Sequence, residues 1–406
     1  MKKKKPKIRF KGFEGEWAFY AFRYLFTEKR DKTQEEFEDQ LLSCAIDGIY
    51  LNSELFNHFR GSTTIGYLKV KKNDLILSAQ NLHLGNANVN LRFASGIISP
   101  AYKVYAINGD NPYFINAWVK SGHAKSLFMS ATTEGASLCR KNIEWEFLYD
   151  KKICIPSISE QEKIGAFLTT LDELIEKFEA KLDKLRKLKQ ALLENMFVDA
   201  LSGQSVPQIR FKGYTDNWEV KELRDYFVVA TERNQSGEYD KYDIYSVSRE
   251  FGVINQIEYQ GKSFAGASLA NYGVVQSGDL VYTKSPLKSQ PYGIIKTNEG
   301  EAGIVSALYG VYHPKENVHS PFTQIYFELD SRLNNYLRPL VNKGAKNTLL
   351  ISDEDSLNGR VVFPKQEEQR DITRLFKEHN LCERRTELKL TKLRRIKQSL
   401  LEKMFV

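Results

Sequence analysis

Pro6-Lys7-Ile8-Arg9-Phe10-Lys11-Gly12 returns in the second half of the chain as Pro207-Gln208-Ile209-Arg210-Phe211-Lys212-Gly213. Trp17 and Phe26 then fall opposite Trp218 and Phe227 in the same register. Asp74-Leu75-Ile76 matches Asp279-Leu280-Val281, and Gly96-Ile97-Ile98-Ser99 matches Gly303-Ile304-Val305-Ser306. Ile155-Pro156 followed by Glu160-Gln161 matches Phe363-Pro364 followed by Glu368-Gln369. Leu192-Leu193-Glu194-Asn195-Met196-Phe197-Val198 matches Leu400-Leu401-Glu402-Lys403-Met404-Phe405-Val406. Matches in one order at nearly one offset mark a tandem duplication, each unit about half the chain. Between the anchors the copies diverge. Residues 27–73 have little in common with 228–278, and 103–135 little with 310–344. A kept frame around unlike contents points to one mechanical role and two recognition tasks, because simple drift of two structural domains erodes the frame as well.

The end of each copy reads as a long helix. From Ser159 to Val198 there is no proline, and the one glycine, Gly165, sits near the start. Pro156 upstream, and Gly203 with Pro207 downstream, punctuate it. Ser159 with Glu162 has the spacing of a capping box. Leu171, Ile175, Phe178, Leu182, Leu185, Leu192 and Met196 step by fours and threes, interrupted at Lys189, which is a coiled-coil seam with a polar register point. At ~1.5 Å per residue the helix reaches roughly 60 Å. The second copy runs from about Gln366 to Val406. Its seam is apolar at Leu390, Leu393, Leu400 and Met404 and polar at His379, Glu383 and Thr386. An isolated helix with such a stripe is marginal in water, so the two are expected to pack antiparallel on one another. Their outer faces are basic, with Lys181, Lys184, Arg186, Lys187 and Lys189 on one and Arg384, Arg385, Lys389, Lys392, Arg394, Arg395 and Lys397 on the other.

Composition sets the class. A chain of 406 residues with 42% hydrophobic residues can bury two cores. Tyr and Phe, 21 and 24 in number, favour packed mixed α/β modules over disorder. No apolar run of membrane-spanning length occurs, and the basic stretch from Met1 to Lys7 is not followed by a signal-peptide core. A soluble, cytoplasmic protein is expected. Cys44, Cys139, Cys154 and Cys382 are scattered, which argues against a disulfide framework or a zinc cage. A formal charge of +8 leans toward a polyanionic partner.

The motifs together resemble the specificity subunit of type I restriction-modification enzymes. The likeness rests on Arg9-Phe10-Lys11-Gly12-Phe13 with Trp17, and Arg210-Phe211-Lys212-Gly213-Tyr214 with Trp218. It rests also on Gly278-Asp279-Leu280, on Gly96-Ile97-Ile98-Ser99-Pro100-Ala101-Tyr102, on the helix starts after Pro156 and Pro364, and on the Leu-Leu-Glu-x-Met-Phe ends. Asn73 departs from the pattern where Gly278 precedes Asp279. The resemblance implies an α+β fold with two globular mixed α/β target recognition domains, 1–158 and 201–362. They are separated by two long antiparallel coiled-coil helices, 159–200 and 363–406, with pseudo-two-fold symmetry. It implies a non-catalytic chain in which each domain reads one half of a bipartite site in double-stranded DNA. Two modification (methyltransferase) subunits would dock on the helices and restriction (motor-nuclease) subunits would join. S-adenosylmethionine, ATP and magnesium would belong to those partners, with no cofactor or metal in this chain.

The sequence holds several near-matches to catalytic and binding motifs. Phe10 to Gly15 resembles a glycine-rich cofactor loop, but its twin Phe211 to Asp216 lacks the second glycine. Asn111-Pro112-Tyr113-Phe114 lacks the second proline of a methyltransferase pocket and reads as a turn. Gly261-Lys262-Ser263 ends like a phosphate loop, but Gln256 holds the place of the required glycine. His313 and His319 lack a third ligand at metal spacing. No nucleophile-base pair stands out. The rival readings are a stand-alone methyltransferase or nuclease, and a coiled-coil scaffold without base preference.

DNA bases are read by forked or amide side chains, and phosphates by Lys, Arg, Ser and Thr. The candidates in the first copy are Arg60, Ser62 and Thr63 in one polar loop, and Ser78, Gln80, Asn81, His83 and Asn86 after the Leu75-Ile76-Leu77 strand. In the second copy the corresponding segment offers Thr283, Lys284, Ser285, Lys288 and Gln290, and a further loop offers Lys343, Lys346 and Asn347. For any single residue an ordinary solvated loop is the bland alternative.

Overall fold

The computed structural model describes residues 5–57, 62–137, 140–263, 266, 268–286, 290–343 and 349–406, excluding the side chains of 134–137, 140, 141 and 343. The chain divides into two units, residues 1–180 with 387–406 and residues 181–386. Each unit contains a globular domain, the start of the long helix that follows that domain, and the end of the other long helix. The fold is α+β, with the long helices at Ile158–Asn195 and Gln366–Lys403.

The two domains share a topology even where their sequences do not. In the first, a four-stranded antiparallel sheet is ordered Phe26–Lys29, Tyr102–Ile107, Leu75–Ser78, Ala87–Val89. In the second the order is Phe227–Val229, Tyr309–Pro314, Leu280–Thr283, Ile294–Thr297. Successive residues of a strand face opposite sides, and both sides are covered. Leu75 and Leu77 enter one core cluster while Ile76 enters another. Leu280 and Tyr282 likewise part from Val281. A short strand before each sheet, Ala18–Ala21 or Glu219–Glu222, pairs with the strand that leads into the long helix, Lys152–Ile155 or Arg360–Phe363.

The turn before the central strand works identically in both copies. Asp74 accepts from Lys71 N–H, and Asp279 from Gln276 N–H, at 2.7 and 2.6 Å. Asn90 and Asn298 pin the next turn by donating to Lys71 and Gln276 carbonyls. Gly278 holds the left-handed backbone at φ +91°, and Asn73 holds it at +69°. Asparagine is among the few residues with a side chain that tolerate this region, so the missing glycine leaves the turn intact.

The repeated motifs have direct physical roles. The Arg9 guanidinium donates twice to Glu160, at 2.7 and 2.8 Å, and Arg210 does the same to Glu368 at the same distances. Both glutamates are buried. Gln161 Oε1 accepts from Asn111 N–H (2.9 Å) while its Nε2 donates to the Pro156 carbonyl (3.1 Å). Gln369 does so with His319 N–H (2.7 Å) and Pro364 (2.9 Å). The Glu-Gln pair thus locks each helix start to the basic arm and to the next short helix of the domain, Pro112–Val119 or Ser320–Tyr326. One residue before each arginine, Ile8 N–H donates to the Lys403 carbonyl and Ile209 N–H to the Asn195 carbonyl, both at 2.9 Å. Each arm therefore ties the start of one long helix to the end of the other.

Those helix ends complete the cores. Phe405 packs 5.4 Å from Phe114, which also meets Trp17. Phe197 packs 5.6 Å from Phe322, which also meets Trp218. Within each unit the paired helices run antiparallel: Glu179 meets Arg394 and Asp172 meets Lys397 in the first, and Arg186 meets Glu383 while Phe197 meets Phe376 in the second. Leu171, Ile175, Leu182, Met196, Leu390 and Met404 are buried, and Phe178, Leu185, Leu192, Leu393 and Leu400 are half-buried. Thr386, polar in the seam, is buried with its hydroxyl donating to the Cys382 carbonyl.

Two local expectations are corrected. The helix opens at Ile158, and the Ser157 carbonyl accepts from Glu160 and Gln161 N–H, so Ser159 lies inside the first turn and does not cap it. Lys189 is not a seam register point, because its ammonium reaches Glu328 of the second domain at 3.0 Å. Removing one partner leaves the other charge part-buried without its hydrogen bonds, which costs about 1.5–3 kcal/mol. Glu368→Ala is expected to lower stability by that order in denaturant unfolding, whereas Arg210→Met with Glu368→Leu recovers most of the loss. Equal destabilisation by the single and double variants would contradict this account.

Candidate nucleic-acid interface

Both principal candidate loops leave the same place, the end of the doubly covered strand Leu75–Ser78 or Leu280–Thr283. In the first domain the chain turns at Ser78, whose buried hydroxyl accepts from Asn81 N–H. It makes one 3-10 turn, Leu82–Leu84, closed by Gly85 at φ +89°. Leu82 and His83 pack inward from this turn. Asn86 is buried too, donating to the Cys44 carbonyl (3.1 Å) and accepting from Cys44 Sγ. Gln80 and Asn81 are left exposed at the apex. A Cβ at Gly85 would sit 4.0 Å from the Lys125 side chain. An exposed lysine on the helix Gly122–Ser130 therefore lies against the same turn, a neighbour the sequence reading missed.

The second candidate loop of this domain is described in part. Arg60 lies outside the described residues; Ser62 and Thr63 are exposed. The Thr63 hydroxyl donates to Glu36, as do the Thr64 N–H and hydroxyl. These bonds, the Thr63 hydroxyl first, hold the Glu36 carboxylate below its ordinary range. A fixed carboxylate beside Thr63 repels phosphate, which leaves Ser62 as the better placed hydroxyl.

In the second domain Thr283 is buried. Lys284 donates to the Ile351 carbonyl (2.9 Å) and pairs with Asp353 (2.9 Å). Ser285 is exposed, and Lys288 lies outside the described residues. Gln290 is buried and donates to Asp330 (2.8 Å), a carboxylate shared with Arg249. Arg249 follows the hairpin strand Ile244–Ser248, and the next residues along include exposed Phe251, which packs on exposed Tyr259 at 5.1 Å. This basic and aromatic hairpin, joined to the candidate loop through Asp330, was absent from the sequence candidates. Lys343 lies on a short strand, Asn342–Lys343, paired with Leu349–Leu350; Lys346 and Asn347 lie outside the described residues.

Burial thus removes Ser78, His83, Asn86, Thr283 and Gln290 as surface contacts, since their side chains build the loops. Gln80, Asn81, Ser62 and Ser285 remain exposed, with Lys284 half-buried. His313, considered for metal binding, bonds Asp279 (2.7 Å) and Glu232 (3.1 Å). Burial pulls its pKa down, but the bonds and charges of those carboxylates outweigh it and the pKa is raised. Among the described residues no group of three or more His, Cys, Asp or Glu is placed to hold a metal ion. No described helix is long and apolar enough to cross a membrane.

No protein-family model matches the chain. Over 342 residues it is 22% identical to a putative type I restriction enzyme MjaX specificity subunit of Methanocaldococcus jannaschii, covering 80% of this chain and 70% of that one. A shorter match, 24% over 119 residues, is to the type I restriction enzyme MjaVIII specificity subunit of the same organism, covering 29% of this chain and 26% of that protein. Among solved structures, the type I restriction-modification S subunit from M. genitalium superposes with a TM-score of 0.58 at 13% identity, covering 99% of each chain. That last likeness is one of fold. The chain is thus similar in sequence over most of its length to a putative type I restriction enzyme specificity subunit, and it shares over nearly all of its length the fold of a type I restriction-modification S subunit.

Proposed function

We propose that the chain is the non-catalytic, DNA-reading subunit of a type I restriction-modification complex in the cytoplasm. The observation that carries this reading is the contrast between the two domains. The order of strands in their central sheets, the bonds that fix their helix starts and the aromatic contacts of their helix ends are repeated, while the described exposed side chains of the loops leaving their central strands differ. A methyltransferase or a scaffold has no need of that division. Residues 1–158 and 201–362 serve as target recognition domains, each reading one half of a split site. Gln80 and Asn81 with Lys125 face one half-site, and Ser285 with the Arg249 hairpin faces the other. The helices 159–200 and 363–406 set the separation and offer their basic faces to two modification subunits, with restriction subunits joining the assembly. S-adenosylmethionine, ATP and magnesium act in those partners.

A DNA selection with the full chain and its modification partner tests the reading. It should return two short conserved blocks around an unspecified spacer; an unbroken motif, no motif, or turnover by the chain alone with magnesium and a methyl donor would overturn it. An amide bonded to a base edge is worth about 1–3 kcal/mol of discrimination. Gln80→Ala with Asn81→Ala should therefore relax one block and spare the other, read by the same selection. Because each basic arm links the start of one helix to the end of the other, length must change in both. Four residues, ~6 Å of helix, inserted at matched points of 171–192 and its counterpart should lengthen the spacer. Unchanged spacing would show that the helices do not measure distance.

A further inference from the structure

His313 lies on the strand Tyr309–Pro314 of the second domain's central sheet, with a carboxylate at each ring nitrogen. Nδ1 stands 2.7 Å from Asp279 Oδ1, and Nε2 stands 3.1 Å from Glu232 Oε2. An ionised carboxylate only accepts hydrogen bonds, and a neutral imidazole carries a single N–H. Both bonds together therefore require the imidazolium. Burial pulls the ring's pKa down from the ordinary 6.5, but the bonds and charges of the two carboxylates outweigh it and the pKa is raised. The neighbouring cations are turned elsewhere. Arg233, beside Glu232, donates to the Ala230 and Glu232 carbonyls, and Lys315, on the strand of His313, donates to the Arg224 carbonyl. Val228, opposite His313 on the edge strand, carries no charge.

The two carboxylates belong to different parts of the domain. Asp279 builds the turn before the central strand by accepting from Gln276 N–H. Glu232 belongs to the segment that leaves the edge strand Phe227–Val229 and crosses to a second four-stranded sheet. Its carbonyl accepts from Val274 N–H (3.1 Å), and Arg233 forms a bridge with Gly273. That sheet is ordered Gly252–Asn255, Ile244–Ser248, Gly303–Val305, Gly273–Val275, and its first two strands form the hairpin that carries Arg249. His313 thus fastens the crossing segment to the central turn.

The duplication supplies an internal control. In the first unit Asp31 corresponds to Glu232, since its carbonyl accepts from Lys69 N–H and Lys32 forms a bridge with Leu68. There the turn aspartate, Asp74, is met at 2.5 Å by Lys29, and Ala106 occupies the strand position of His313. The first domain offers its turn aspartate an ammonium. The second offers an imidazole, the side chain whose charge ordinarily changes between about pH 5 and 8.

We propose that His313 is a pH-sensitive clasp of the second domain, which holds the crossing segment to the central turn when protonated and lets it go when neutral. On losing one proton the ring keeps its hydrogen on Nδ1, because Asp279 is buried and a buried carboxylate without a partner is costlier than an exposed one. Glu232, more than half exposed, is then released to water. A histidine whose folded pKa lies above its unfolded one stabilises the fold fully below the unfolded value and loses that contribution as pH rises through the folded value. The clasp is therefore closed on the acid side and opens as pH climbs above 6.5 through the folded value.

NMR of the full chain with isotope-labelled histidine tests this, with the His313 signal identified by its loss in His313→Gln. The ring should titrate above 6.5, and Glu232→Gln, at an exposed position, should lower the midpoint. In urea unfolding, His313→Gln should be less stable than the unaltered chain at about pH 6, and the difference should shrink toward about pH 9. Ala230→Lys combined with His313→Ala transplants the arrangement of Lys29 and Ala106, and its stability relative to Ala230→Lys alone should not follow that pH course. A ring that titrates at or below 6.5, a midpoint unmoved by Glu232→Gln, or a His313→Gln difference independent of pH would each overturn the proposal. The first two outcomes are read on folded chains even if the His313 variant is too unstable to compare.

Discussion

The pairing of a part-buried arginine with a buried glutamate, made once in each unit, is the constraint on which the remaining architecture depends. It is bidentate, it joins a segment near the start of each copy to a residue near its end, and it sits at the first turn of a long helix. A carboxylate there is favoured by the helix dipole as well as by its partner. One residue away, the same arm receives the far end of the other long helix through a backbone hydrogen bond. Two helix termini that have no sequence neighbourhood are thereby fixed against one domain. The direction of the helix pairing follows, because a start and an end must lie side by side.

From that junction outward the structure moves from fixed to free. The glutamine beside each glutamate fastens the next short helix, the short helix carries the phenylalanine that meets the docked helix end, and the central sheet lies against that aromatic cluster. The loops leaving the central strand come last in this sequence of contacts. Cys44 with Asn86 serves as loop support in one domain, and Asp330 with Gln290 in the other. Different internal props hold different surfaces at one position of the fold, as expected of domains that share a scaffold and read different targets.

The sequence made the scaffold legible because its key residues recur. Arg9, Glu160, Trp17 and Phe405 are each repeated at nearly one offset, and each has a role in which side-chain identity matters. The long helices were legible from their seam. The shared topology of residues 27–73 and 228–278 was not, since strand pairing such as Leu68–Lys71 with Ser95–Ile98 needs only suitable burial and tolerates almost any apolar side chain. The candidate interface was the least legible part. His83 and Asn86 looked like groove readers because polarity alone does not tell a loop's outward residues from the ones that brace it. Arg249 and Lys125 were overlooked because they reach the loops from other elements, through Asp330 and beside Gly85. The capping assignment at Ser159 failed for a related reason: the helix start is set by tertiary bonds from Glu160 and Gln161, and these override a local spacing rule.

The exchange of helix ends also dictates an order of events during synthesis. Trp17, Phe114 and the strands around them emerge from the ribosome early, but the aromatic slot they form is filled by Phe405. The second unit's slot is filled by Phe197, which is already made before its own domain begins. The later-translated half can therefore close as soon as it is complete, while the earlier half waits with an open apolar slot for more than half of translation. Such a vacancy is an obvious place for a chaperone to hold, or for a second nascent chain to insert its own helix end by mistake.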